Sequence, residues 1–177
     1  MTDLSSTMAT ALAGYFELVR EKVHQWTAPI SEEQLWQRPY PYGNSAGHLL
    51  LHLTGNLNYY IGARIAGTGY VRDRDREFNE TERKPKAEVL EAFDRAIAMV
   101  VDTIRRQKPE DWSVPYSAER SEAKDRFTVF LTCAGHAYHH VGQMIYLSKE
   151  WTKQPAQTCT ERSQREAATP FLPAGTA

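Results

Sequence analysis

The sequence predicts an all-α fold, a four-helix bundle, and three observations carry that expectation. Apolar residues recur at steps of three and four in four separate segments, no segment alternates with period two, and glycine or proline punctuates the ends of the periodic runs. The first segment, roughly residues 6–26, puts Met8, Leu12, Tyr15, Val19, Val23 and Trp26 on one helical face. The second follows Asn44 or Ser45, either of which can cap a helix. It carries Leu49, Leu50, Leu53, Leu57, Ile61 and Ile65 until Gly67 and Gly69 end it. The third opens near Pro85, aligns Val89, Phe93, Ile97, Val100 and Ile104, and stops at Pro109. The fourth runs from about Asp125 to Trp151, with Phe127, Leu131, Ala134, Tyr138, Val141 and Ile145 expected on its main apolar side. Four helices of about 20 residues are each about 30 Å long, the proportions of a bundle.

The connections at 27–43, 67–84 and 108–124 exceed the roughly 2–8 residues usual between bundle helices and are expected to be long loops, either functional or simple crossovers. The second contains a dense mixed-charge run from Arg72 to Glu77, ahead of Phe78, which reads as a solvated surface with weak local ion pairs. A short echo links two helix entries. Trp36, Pro39 and Tyr40 precede the second helix as Trp112, Pro115 and Tyr116 precede the fourth, both in the pattern W-x-x-P-Y, as a duplicated helix pair would leave them. Residues 1–151 are expected to form a single domain and 152–177 a flexible tail, rich in Thr, Ala, Gln and Pro and without periodicity.

Composition narrows the function classes. Of 177 residues, 41% are hydrophobic and 24% charged, which excludes disordered or collagen-like chains. A formal charge of -1 offers no basic field for nucleic acid. Two cysteines, Cys133 and Cys159, are too few for a disulfide framework and fit a reducing compartment. No apolar run reaches the roughly 18 residues of a membrane helix, and the first residues lack a signal-peptide pattern. The expectation is a cytoplasmic protein that binds neither membrane nor nucleic acid.

Six histidines stand out, at 24, 48, 52, 136, 139 and 140. Random placement would give about 0.2 H-x-x-x-H pairs, whereas two occur, His48/His52 and His136/His140, each on a predicted helix. Residues four apart differ by about 40° around a helix axis, so both imidazoles of a pair can converge on one point, as a divalent cation requires of nitrogen ligands at about 2.0–2.1 Å. The bland alternative is a set of hydrogen-bonded core histidines. Small Gly55 and Gly135 could leave space beside the rings, and antiparallel packing of the second and fourth helices would bring His52 and His140 to similar height. His139 lies off the stripe and reads as a supporting or interfacial residue, and His24 as an incidental group at a helix end. Cys133 reads as a small buried thiol. Glu21 and His24 resemble half of a di-iron signature, but no second E-x-x-H exists, so that reading is set aside.

These residues also carry a family resemblance. The run His136-Ala-Tyr-His139-His140-Val-Gly142-Gln143 resembles the H-x-x-x-H-x-G-Q signature of the DinB-like superfamily of damage-inducible bundle proteins, which is distinct from the DNA polymerase sharing that name. The stretch from Asn44 through His48 and His52 to Leu57 is similar to its second-helix motif, and Arg72 to Phe78 looks like a marker of one branch. The resemblance spans about residues 5–150. It implies an up-down-down-up bundle, commonly a homodimer, holding one divalent metal through His52, His136 and His140. His48 is the departure, either a fourth ligand or a base beside the site that accepts or relays a proton.

Three neutral imidazoles leave an open position that stabilises an anionic ligand, and zinc, nickel, iron or manganese all accept such a set. Characterised members of the family include thiol transferases and a thiol-dependent isomerase. The resemblance therefore implies transfer of a low-molecular-weight thiol to an electrophilic small molecule, with Asn56, Tyr59 and Gln143 lining the pocket. A metal-dependent hydrolase and a non-catalytic, metal-binding stress-response dimer are the alternatives.

Overall fold

The computed structural model describes residues 3–153, and the expected tail beyond 153 lies outside them. Every regular element among the described residues is helical: α1 (Leu4–Thr27), α2 (Glu32–Trp36), α3 (Ala46–Leu57), α4 (Arg74–Asn79), α5 (Lys86–Arg105) and α6 (Arg126–Thr152). A π-helical stretch, Asn58–Ala66, prolongs α3 until Gly67 turns the chain at φ 69°. A 3-10 turn, Pro109–Ser113, precedes α6. No described helix is long and apolar enough to cross a membrane.

The expected long loops thus contain α2, α4 and the 3-10 turn. Local signals too short for a periodic pattern explain the two short helices. Ser31 and Gln34 form a reciprocal capping box at α2, and Asp73 accepts the amide of Arg76 at the start of α4. A similar box, Asp125 with Thr128, starts α6.

Four long helices enclose the core. α1 packs on α5 and α6, and α3 packs on the same two from the other side. Hydrogen bonds between the ends give the directions. Lys86 at the start of α5 donates to the carbonyls of Thr27, the last residue of α1, and of Ile30 just beyond it, and Trp112 after α5 donates to Ser5 at the start of α1. Gln34 reaches the carbonyl of Trp151 at the end of α6, while Tyr116, close to the α6 entry, donates to the Tyr60 carbonyl beyond α3. α1 and α6 therefore run one way, and α3 and α5 the other.

The core is built from the periodic apolar residues, with Phe16, Phe93, Phe130, Leu50, Leu53, Ile97, Ile104 and Met144 fully buried. The α6 face departs from expectation. Ala134 and Val141 are buried as expected, but Leu131 is 53% exposed and Tyr138 is also exposed, whereas Phe130, Cys133, Ala137 and Met144 point inward. A charge-poor helix wedged between α1 and α3 buries the arc between its two stripes, so its own hydrophobicity does not select the inner face.

The two W-x-x-P-Y segments share one role and diverge in another. Both tryptophans are buried and donate their indole N–H, Trp36 to the Lys84 carbonyl and Trp112 to Ser5. Gly47 is obligatory beside the first, because a Cβ there would lie 2.7 Å from the Trp36 ring. Tyr116 is buried and bonded, but Tyr40 is exposed and stacks on Tyr42.

Candidate metal centre

His52 projects from α3, and His136 and His140 project one turn apart from α6. Because these helices run antiparallel in contact, the three rings meet edge to face. The Nε2 of His136 lies 3.2 Å from that of His52 and 3.1 Å from that of His140. One ring nitrogen from each histidine falls within 4.8 Å of the others, a group that could hold a metal ion.

The remaining nitrogens decide what these rings offer. His52 Nδ1–H donates to Glu77 Oε2 at 2.9 Å, and His140 Nδ1–H donates to Gln143 Oε1 at 2.6 Å. Each carbonyl or carboxylate oxygen can only accept, so both Nε2 atoms carry lone pairs aimed at the common point. A proton on His136 Nε2 satisfies one of them, whereas a divalent cation receives lone pairs from all three rings. His136 Nδ1, buried and without a protein partner, is available to carry that ring's proton. The donor set therefore fits a divalent transition metal.

Electrostatics favour the neutral, ligand form. Burial, reinforced by the imidazoles of His140 and His52, pushes His136 down to about 3. Burial also lowers His140, against the opposing bond from Gln143. A pH dependence follows for the metal-free protein. An unfolded histidine binds a proton below about pH 6.5 and folded His136 does not until about 3, so stability falls as pH drops through that window. The groups around the ring (His140, His52, Arg72 and His139) all oppose its protonation. Chelator-treated protein should show a urea midpoint that declines between pH 6.5 and 4, and His136→Gln should flatten the decline. The unfolding constant changes by at most about tenfold per pH unit for one such group. An identical slope in the variant would refute the assignment.

Asp73 to Arg76 of the mixed-charge run lie exposed as expected, but Arg72 and Glu77 at its two ends do not form a solvated surface. Arg72 and Glu77 are 8% and 6% exposed, and Arg72 Nε and Nη2 grip the two Glu77 oxygens at 2.6 and 2.8 Å. Burial works against the charge of Glu77, yet the bonds from His52 and Arg72 hold its carboxyl below the usual range. Gly55 makes the approach possible. A Cβ there would stand 2.0 Å from Glu77 Oε1, so the space expected beside the imidazoles is filled by this carboxylate. Gly135, by contrast, faces open space. Phe78 then covers the His52 ring at 4.7 Å between centroids.

The other singled-out residues take separate places. His48 is outside the triad: its Nδ1 lies 2.6 Å from Ser45 Oγ, its Nε2 lies 3.2 Å from the Glu80 carbonyl, and its ring abuts Trp36. A cleft of about 570 Å³ on that side is bounded by Trp36, Arg38, His48 and Glu80. Asn56, one turn after His52, is 7% exposed and its Oδ1 has no partner. Tyr59 accepts a bond from Arg64 and borders a separate cleft of about 690 Å³ with Tyr60, Tyr70 and Arg72. Gln143 is exposed and orients His140. His139 is exposed, its ring 5.3 Å from that of His140. Cys133 is buried and its thiol pushed up to about 12 by desolvation, far from a thiolate at neutral pH. His24 is not incidental, because its Nε2 lies 2.8 Å from Asp94 and links α1 to α5.

Arg72 and Glu77 are the residues beside the triad that the histidine pattern missed. In the sequence they stood only within a charged run of an unusually long crossover, a run that also resembled a marker of one branch of the family.

Comparison with curated proteins finds no match for the chain. A family model described as the DinB superfamily matches residues 15–144, a span that begins in α1 and includes all three histidines. With that match over most of its length and the three imidazoles gathered at one point between α3 and α6, the chain belongs to the DinB superfamily.

Proposed function

We propose that this protein is a metal-dependent enzyme that transfers a low-molecular-weight thiol to an electrophilic small molecule. The observation that carries the reading is the convergence of three imidazole nitrogens beside half-buried His140 and exposed Gln143, where a small molecule can approach from solvent. A divalent transition metal bound there, zinc or nickel by preference and iron or manganese by availability, supplies positive charge that lowers the pKa of a thiol.

The chain's own groups hold and orient. His52, His136 and His140 present their Nε2 lone pairs, Glu77 and Gln143 fix two of the rings, and Asn56 offers an unpartnered carbonyl one turn away. In the transfer, the thiol proton passes to solvent or a base. The sulfur electron pair then forms a bond to the electrophilic carbon, from which a leaving group departs with its bonding pair. His48 would have to release the Glu80 carbonyl before its Nε2 could take that proton. A homodimer belongs to the same proposal, supported by the apolar side chains of Tyr15, Leu18, Leu131 and Tyr138 left exposed on α1 and α6.

The test is conjugation of monochlorobimane with a panel of bacterial thiols, using protein loaded with zinc or nickel. Conjugation should exceed the uncatalysed rate for at least one thiol and return to background in His136→Ala. Failure with every thiol, together with cleavage of an ester or amide, would replace the reading with a hydrolase. Tight metal binding without any turnover would leave a metal-binding stress-response protein.

A further inference from the structure

We propose that Glu77 is a positioning residue for the metal centre, and that through it the 67–84 crossover senses whether metal is bound. The inference rests on the metal reading above and adds a link that the three histidines do not contain.

A buried carboxylate needs a reason to stay charged among apolar groups. Glu77 has three inward partners: Arg72 Nε, Arg72 Nη2 and His52 Nδ1–H. The first two neutralise it and lock its orientation. The third makes it the acceptor that holds His52 with its Nε2 lone pair facing His136. A partner of this kind fixes ring orientation and raises ligand basicity, and its loss typically lowers metal affinity about 10–100-fold.

The packing around the carboxylate is specific to this role. Gly55 lies three residues after His52 on α3 and lacks the Cβ that would collide with Glu77 Oε1. Phe78 follows Glu77 and lies against the His52 ring. Arg38 donates to the Phe78 carbonyl at 2.5 Å and ties the far side of α4 to the segment before α3. The crossover therefore touches the centre through one ligand ring, gripped at its edge by Glu77 and covered on its face by Phe78.

Coupling of this sort is reciprocal. If docked Glu77 strengthens metal binding by a given factor, bound metal strengthens docking of α4 by the same factor. Metal occupancy is then reported at the surface by the order of residues 72–80, a segment that also borders both clefts.

The experiment combines zinc affinity, measured by chelator competition, with hydrogen exchange of the full chain. It compares wild type, Glu77→Gln and the apolar pair Arg72→Met/Glu77→Leu. Wild type should show slower exchange across 72–80 when zinc is added. The apolar pair should bind zinc about 10–100-fold more weakly and show no zinc-dependent protection of that segment. Glu77→Gln, whose amide oxygen can still accept from His52, should fall between the two. Unchanged affinity in the folded apolar pair would overturn the proposal. So would unchanged affinity in Glu77→Gln, which decides the matter if the pair does not fold. If wild type itself binds no zinc, nickel, iron or manganese, the metal reading fails first, and the two failures remain distinct.

Discussion

His136→Ala is expected to abolish stoichiometric metal binding, with affinity falling by at least about 100-fold, beyond the roughly 10–100-fold typical of losing only a residue that orients a ligand. His136 is the centre of the three rings, since its Nε2 approaches those of both His52 and His140. Its removal leaves two nitrogens from different helices, and two imidazoles alone hold a divalent ion weakly against water and buffer. The fold should survive, because the ring is half-buried and Ala137, Val141 and Met144 carry the packing of that part of α6. His52→Ala and His140→Ala should behave alike. His139→Ala and His48→Ala should retain metal, since neither ring shares the common point. Elemental analysis of protein purified without added metal, with circular dichroism as a folding control, reads all five. Wild-type metal content in folded His136→Ala would remove the centre from this protein.

Arg72→Met is expected to lower stability by about 3–5 kcal/mol, because it leaves the Glu77 carboxylate buried without its counter-charge. The bonds are two-pronged, and both side chains are almost fully withdrawn from water. That separates this pair from the other ion pairs of the crossover, such as Arg76 with Glu80, where the arginine is 61% exposed and little stability is at stake. For a domain of this size each kcal/mol moves the melting temperature about 2–4 °C, so metal-free protein should melt roughly 6–20 °C lower. Glu77→Leu should lose a comparable amount by stranding the guanidinium. The double variant should regain most of the loss, since apolar residues of similar volume often replace a buried pair without penalty. A double-mutant cycle by calorimetry gives the coupling. Melting of Arg72→Met within about 2 °C of wild type would mean that the pair is solvated after all.

Much of this protein is legible without coordinates. The bundle is written in residues such as Leu49, Leu53, Leu57 and Val89, Phe93, Ile97, because a helix repeats every 3.6 residues and the core must bury one face of each. The two histidine pairs are legible for the same geometric reason, as four-residue spacing on a helix places two imidazoles on one side, and it was the family resemblance that implied His52, His136 and His140 as the ligands. That same rule could not divide His48 from His52. The pair satisfies the spacing as well as His136/His140 does, yet the Ser45 hydroxyl and the Glu80 carbonyl hold His48 away while His52 faces α6.

What the sequence by itself determined is periodic and local: the four long helices and the histidine spacing. What only the tertiary structure decided is which charges leave water. Arg72 and Glu77 read as surface residues because isolated charges are too costly to bury. They are buried here because Gly55, seventeen residues before Arg72, lacks a side chain where the carboxylate enters, and because His52 and Arg72 each bring a proton to it. Burial of charge depends on partners that meet only after the chain has crossed the bundle, and no local pattern records that meeting.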